Sequence, residues 1–285
     1  MFHVPQLLAA NCHGVPESSA WLKRLPHAVR ELQARWRLSL GSTFEEDEGS
    51  CAWVAPVVRE DGTRAVLKLG MPHFEAEHEI QALCVWDGDP AVRLFEFDVG
   101  INAMLLERCE PGTALRALPE VEQDVVLAAL LQRLWRRPSA PHPFRPLAAM
   151  TAHWSEETRA AASRWPDRAL TQAGLRLLEE LSRPSPDDVL LATDLHAGNV
   201  LQAQRMPWLV IDPKPFVGDR AYDATQHLLN CSERIHHAPD ATIRRLSDLL
   251  EVDHERVRLW MFARAAAEPR DHWGDGSTRL ARLLG

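Results

Sequence analysis

Asp194, Asn199 and Asp212 are the residues of this sequence whose types and spacing suit a definite chemistry. Asn199 follows Asp194 by five residues and Asp212 comes thirteen later, each aspartate standing at or just past the end of an apolar run, Val189 to Leu191 and Trp208 to Ile211. Phosphoryl transfer asks little more of side chains: a carboxylate to orient or deprotonate an attacking hydroxyl, and a carboxamide with a second carboxylate to hold magnesium against nucleotide phosphates. Asp and Asn also favour the turns that end strands, so none of the three is informative alone. The joint spacing, with Gly198 and Gly218 beside it, carries the reading.

The same chemistry needs a cation for the phosphates. The chain uses 29 arginines and only three lysines, Lys23, Lys68 and Lys214. Lys68 lies in A-V-L-K-L, a run that buries at least one face, where a lone ammonium is costly without a carboxylate partner. The following segment, H-F-E-A-E-H-E-I-Q-A-L-C-V-W, reads as one helix and offers Glu75, Glu77 and Glu79, with Glu75 and Glu79 on a common face. Between two early strands, G-S-T-F-E-E-D-E-G-S stands where a phosphate-covering loop would lie. Its run Glu45 to Glu48 repels phosphate, which leaves Gly49 and Ser50 as the phosphate-facing end; a plain acidic hairpin is the alternative.

The motifs D-L-H-A-G-N at Asp194, I-D-P-K-P at Ile211 and G-D-R-A-Y-D at Gly218 together resemble the aminoglycoside phosphotransferase superfamily and, within it, the streptomycin and hydroxyurea kinase family. The resemblance runs from about Trp36 to Phe262 and is strongest between Leu191 and Asp223. It implies that Asp194 is the catalytic base, that Asn199 and Asp212 bind magnesium, and that His196 and Asp223 support the catalytic loop. It favours Glu79 as the partner of Lys68, and it implies a hinge from Met104 to Arg108, Met104 and Leu106 foremost, whose backbone meets the adenine edge. The cofactor implied is magnesium with ATP, GTP remaining open. One departure is that many members carry His-Gly just before the base, where this chain has Ala192-Thr193, so any bracing by that histidine must come from elsewhere.

The resemblance and the order of expected elements imply an α+β, protein-kinase-like chain to position these groups: a small lobe at 1–109 with an antiparallel sheet and a larger, mainly helical lobe at 110–285. In the first, a packing helix over 17–34 is expected to be broken or kinked at Pro26, followed by strands at 36–40, 51–58, 64–69, 92–99 and 101–108. The pair flanking Asp61-Gly62 forms a hairpin. In the second, helices are expected at 119–135, 147–163, 167–181, 222–229, 241–250, 253–267 and 278–284, and a short strand at 200–201 joins those that deliver the aspartates.

Composition narrows the partners. Net charge is −8, and residues 1–109 hold 10 basic and 16 acidic side chains, so no basic surface for nucleic acid is indicated. The balance suits a cationic small molecule. No apolar stretch approaches a membrane span and the first residues lack the pattern of a signal peptide, which makes the cytoplasm the expected location. Five scattered cysteines without a C-x-x-C pair suggest reduced thiols. His236, His237 and Asp240 lack metal-hydrolase spacing, and no serine has a G-x-S-x-G setting. A cationic aminocyclitol acceptor of streptomycin type wants ionised carboxylates aimed inward from the second lobe, and the resemblance implies an acceptor site between the catalytic loop and the C-terminal helices; Glu268, Asp271 and Asp275, with Trp273 to support a guanidinium, are the candidates, against the alternative of a solvated loop. Sugar, amino-alcohol or hydroxyurea kinases and a catalytically inactive binding protein on the same fold are the rival readings.

Overall fold

The computed structural model describes residues 2–41, 51–269 and 275–285. Ser50, Glu45 to Gly49, Asp271, Trp273 and the side chain of Asp275 lie outside the described residues. The chain forms two compact units, Met1–Thr113 with Leu201–Ile211, and Ala114–Val200 with Asp212–Gly285.

The first unit begins with helices α1 (Gln6–Asn11) and α2 (Pro16–Arg35). Strands β1 (Leu38–Leu40), β2 (Ala52–Arg59) and β3 (Arg64–Gly70), helix α3 (Glu79–Trp86), and strands β4 (Leu94–Asp98) and β5 (Ala103–Glu107) follow. The strands make one antiparallel sheet in the order β1-β2-β3-β5-β4. Helix α2 runs unbroken through Pro26, contrary to the expected break. A mid-helix proline costs about 3 kcal/mol. Trp21, Leu25, Val29 and Leu32 are buried along one face of α2, and at about 1.5–3 kcal/mol for each such side chain the packing outweighs the lost hydrogen bond. Their partners are Trp53, Ala55 and Val57 of β2, Ala65, Leu67 and Leu69 of β3, and Ala103 and Leu105 of β5. These alternate along each strand, so one face of the sheet carries the core and the residues between project from the other.

The stretch Leu201–Ile211 belongs to this unit although it stands far along the chain, which a single cut at residue 110 does not provide for. Strands β7 (Val200–Gln202) and β8 (Trp208–Val210) form a hairpin. Val92 N–H donates to Val210 O at 3.0 Å, and Arg205 grips Glu107 through Nε and Nη2 at 2.9 and 2.8 Å. Burial alone would raise Glu107, but Arg205 holds its carboxyl below the usual range.

The second unit is helical except for β6 (Val189–Leu191), which pairs antiparallel with β9 (Phe216–Gly218). Its helices are α4 (Glu120–Leu134), α5 (Leu147–Ala160), α6 (Arg168–Leu181), α7 (Arg220–Asn230), α8 (Ser232–His237), α9 (Pro239–Leu250), α10 (His254–Ala267) and α11 (Asp275–Leu284). Strand β9 and helix α8 were not expected from the sequence. Helix α10 is buried nearly all round and packs on α6, α7, α9 and α11. Asp124 of α4, fully buried, accepts from His227 of α7 at 2.9 Å, from both Nη atoms of Arg234 of α8 at 2.7 Å and from Arg245 of α9 at 3.0 Å. Burial would raise this carboxyl, yet the Arg234 and His227 hydrogen bonds outweigh it and hold it well below the carboxylate range. All five cysteines are unbridged, and burial pushes Cys109 and Cys231 up to about 12. Among the described residues no helix is long and apolar enough to cross a membrane.

Candidate active site

In the first unit, β3 dictates where Lys68 points. Leu67 and Leu69 enter the core, so the pleat turns Lys68 to the opposite face, where it is only 6% exposed. Its Nζ donates to both carboxylate oxygens of Glu79, at 2.6 and 2.7 Å. Glu79, the glutamate that the resemblance favours, is thus paired with Lys68. The expected single helix across this segment is divided: a 3-10 turn holds Phe74–Ala76, and His78, at φ 71°, stops it before α3 starts at Glu79. Glu75 consequently shares no helix face with Glu79. Met104 and Leu106 also depart from expectation. Both lie within β5, registered against β3 on one side and β4 on the other, so their backbone is engaged in the sheet. The first backbone groups beyond the strand are those of Arg108 and Cys109.

In the second unit, the loop from Ala192 to Asn199 is placed by β6 and by α7. The sequence G-D-R-A-Y-D does this in order. Gly218 ends β9 where an added Cβ would lie 2.5 Å from Leu147 Cβ, so no larger residue fits. Asp219 caps α7 by accepting from Ala221 N–H, Tyr222 is buried, and Asp223 in the first turn points back at the end of β6. Asp223 accepts the N–H groups of Ala192 at 3.1 Å and Thr193 at 2.8 Å, and Trp135 Nε1–H at 2.9 Å. Thr193 sits at φ 46°, a left-handed conformation uncommon for a β-branched residue. Its hydroxyl donates to Lys214 O at 2.5 Å, and these two bonds hold the turn that presents Asp194. Asp223, Trp135 and the Thr193 hydroxyl thus supply the bracing for which the chain has no histidine at 192. Burial pushes the Asp223 carboxyl up to about 6, against the pull of its N–H donors.

Asp194 is one-fifth exposed and held at both oxygens: Gln226 Nε2–H donates to Oδ1 at 2.8 Å, and Lys214 Nζ lies 2.7 Å from Oδ2. His196 follows the loop and accepts Gly198 N–H on Nδ1 at 3.1 Å. A Cβ on Gly198 would come 2.7 Å from the imidazole, which accounts for the glycine. Burial lowers His196 below its ordinary value, and with Nδ1 accepting from Gly198 the neutral ring carries its proton on Nε2. Asn199 donates its side-chain N–H to the backbone oxygen of Asp194 at 3.0 Å. The amide nitrogen being used there, its oxygen is the atom presented to a cation. Asp212, at φ 51°, is exposed. One amide oxygen and one exposed carboxylate are hard donors of the kind magnesium takes when it keeps waters and phosphate oxygens as its other ligands. Among the described residues no group of three His, Cys, Asp or Glu side chains could hold a metal ion by itself.

Lys214, Gln226 and Arg264 were not singled out for roles by sequence reasoning. Lys214 carried a signal, being one of three lysines among 29 arginines. Gln226 and Arg264 carried none, since a glutamine on a helix face and one arginine of many look ordinary. Glu268, expected to bind an acceptor, accepts from Arg264 at both oxygens at 3.0 Å.

The chain matches the family model described as aminoglycoside/hydroxyurea antibiotic resistance kinase over residues 35–271. It is 37% identical to the streptomycin 6-kinase of Streptomyces griseus, with 98% of this chain and 94% of that protein covered. It is also 37% identical to the hydroxyurea phosphotransferase of Kitasatospora aureofaciens, covering 94% of this chain and 79% of that protein. Among solved structures, a choline kinase from Streptococcus pneumoniae superposes with a TM-score of 0.60 at 15% identity, covering 92% of this chain and 97% of that one. An aminoglycoside phosphotransferase from Streptomyces rimosus gives 0.51 at 16% identity, covering 90% and 98%. These likenesses fix the fold as protein-kinase-like, with an antiparallel sheet in one lobe and helices in the other.

Proposed function

The chain belongs to the aminoglycoside/hydroxyurea antibiotic resistance kinase family, and from that premise we propose that it transfers the γ-phosphoryl group of ATP to a hydroxyl of a streptomycin-type aminocyclitol. That it is a phosphotransferase acting on a small molecule follows from the family. The acceptor rests on one observation: the match to streptomycin 6-kinases extends over 94% of their length, against 79% for the hydroxyurea phosphotransferase. Equal identity to the latter makes hydroxyurea the second reading.

In this reading Asp194 accepts the proton of the attacking hydroxyl as its oxygen bonds to the γ-phosphorus and the bond from that phosphorus to the bridging oxygen breaks, releasing ADP; Gln226 and Lys214 orient the carboxylate. Lys68, held by Glu79, binds nucleotide phosphate oxygens. Asn199 and Asp212 would hold magnesium, which when bound neutralises phosphate charge. Asp223 and His196 keep the loop in place. Formation of nucleoside diphosphate, followed in a coupled assay over streptomycin, other aminocyclitols, hydroxyurea, neutral sugars and choline, tests the proposal. Turnover is expected with streptomycin and at least tenfold lower kcat/KM with neutral sugars. A preference for hydroxyurea or for a neutral sugar would overturn the acceptor and leave the kinase.

A further inference from the structure

Three side chains that no motif contains form a line ending on Asp194. Arg264 projects from α10 and is 3% exposed, its guanidinium 5.1 Å from the ring of Tyr222 and 5.6 Å from that of Trp154. It donates to Thr225 Oγ1 and Gln226 Oε1, each at 2.7 Å, and to both oxygens of Glu268. The two ends of a glutamine amide are easily confused, but the chemistry assigns them here. A guanidinium only donates, so the atom of Gln226 that faces Arg264 is the oxygen, and the nitrogen is the end 2.8 Å from Asp194 Oδ1. Arg264 therefore dictates that Gln226 presents a donor, and never an acceptor, to the base.

We propose that Gln226 is the positioning residue of the catalytic base and that Arg264, neutralised by Glu268, locks it. The inference rests on the reading of Asp194 as the base. A carboxylate on a short side chain turns freely about its last bond, whereas proton transfer requires one oxygen aimed at the acceptor hydroxyl. Misplacement of a reacting group by about 1 Å can cost about 100-fold in rate. The two grips on Asp194 are of different kinds. Lys214 offers a charge on a flexible stem, and Gln226 offers a neutral donor fixed from behind by a planar, multiply bonded cation. A buried guanidinium is expensive to desolvate, and Glu268 together with the stacked rings of Tyr222 and Trp154 offsets that cost. Fastening α7 to α10 would need only the Thr225 bond and the ring contacts; the bond to Gln226 Oε1 adds nothing to that task and everything to the aim of Asp194.

The test uses Gln226→Glu, which keeps an oxygen for Arg264 and removes the N–H directed at Asp194. With whichever member of the acceptor panel the wild type phosphorylates, kcat is expected to fall by about 30- to 100-fold. Binding of magnesium-ADP, measured by calorimetry, stays within about twofold, and Gln226→Leu, which removes the same N–H without placing a second carboxylate beside Asp194, is expected to lose kcat to a similar degree. Glu268→Gln is expected to lower kcat by about fivefold with acceptor KM unchanged, and to add nothing in the Gln226→Glu background, because both act through one chain of contacts. Wild-type kcat in Gln226→Glu, or additive losses in the double variant, would overturn the proposal. A raised acceptor KM with unchanged kcat in Glu268→Gln would assign Glu268 to the acceptor and remove it from the lock. A crystal structure of Gln226→Leu supplies a readout independent of turnover: the Asp194 carboxylate is expected to rotate away from its wild-type orientation, and an unchanged rotamer would refute the clamp even if no panel compound were phosphorylated. Absence of turnover by the wild type refutes the proposed function, and the crystallographic result still decides the clamp.

Discussion

Asp194→Asn removes the proton acceptor and keeps the size of the side chain. Its kcat is expected to drop by about 10³, while magnesium-ADP affinity measured by calorimetry stays near wild type, because a general base acts on the hydroxyl and not on the nucleotide. Comparable turnover in this variant would take the base role from Asp194. Asn199→Ala and Asp212→Ala should both weaken magnesium-nucleotide binding in a metal titration, Asp212→Ala more, since it removes a full charge. Titration curves unchanged from wild type would dismiss these ligands. The buried pair of Lys68 and Glu79 bears on stability. Breaking a buried ion pair from one side costs about 3–5 kcal/mol, so Glu79→Gln should unfold at clearly lower urea concentration than wild type. Glu75→Gln should change the midpoint far less. Equal shifts would mean that the pairing with Glu79 does not set the energy of this site. The choice among Glu75, Glu77 and Glu79 was open to spacing alone because it presumed one helix, and the left-handed turn at His78 that ends this presumption has no sequence signature stronger than a histidine.

At the scale of elements, the loop between β6 and α7 should respond to pH in a way that can be worked out. Burial pushes the Asp223 carboxyl up to about 6 in the folded chain, against 3.8 for a free aspartate. Between those values the folded form holds a proton that the unfolded chain has released, so this group stabilises the fold below its unfolded value and loses that contribution as pH rises through about 6. The span corresponds to roughly 3 kcal/mol as an order of magnitude. Function takes the opposite sign, because the N–H groups of Ala192, Thr193 and Trp135 need the carboxylate to hold the loop. Burial lowers His196 below its ordinary value, so its contribution to stability falls as pH falls, and comparing wild type with Asp223→Asn cancels it. Asp124 titrates too low to interfere. The Tm difference between wild type and Asp223→Asn is expected to move in favour of wild type from about pH 7 to about pH 5, while wild-type kcat declines. A difference in Tm independent of pH would show that Asp223 does not titrate there. The elements themselves were largely legible: β6 and the helices near 147, 167, 241 and 253 sit within a few residues of their expected positions. Their apolar periodicity is set by burial on one face. Strand β9 escaped because Phe216–Gly218 follows two prolines and is only three residues long, too short for alternation to register.

For the whole molecule, the family and fold were readable from three motifs, since phosphoryl transfer forces particular residue types into particular spacings. The clamp on Asp194 was not, because Gln226, Arg264 and Glu268 are brought together by the packing of α7 on α10 and not by any local pattern. The acidic balance of the chain is a whole-molecule property with its own test. If the field draws in a cationic acceptor, kcat/KM for streptomycin should fall as salt is raised from about 0.02 to about 0.5 M, as screening shortens the reach of the charges. The same salt series should leave kcat/KM for a neutral acceptor nearly flat, and parallel behaviour of the two would deny the field a part in selection.

The return of Leu201–Ile211 to the first unit bears on how the protein is made. Domains usually complete themselves in order as the chain leaves the ribosome. Here the sheet unit must wait, with Glu107 lacking Arg205 and Val92 lacking its bond to Val210, until most of the helical unit has been synthesised. Neither unit is a continuous length of gene, so neither can be excised, exchanged with a relative or appended by a single fusion. Recombination among such kinases would have to carry the catalytic loop and the hairpin together with the sheet that the hairpin completes.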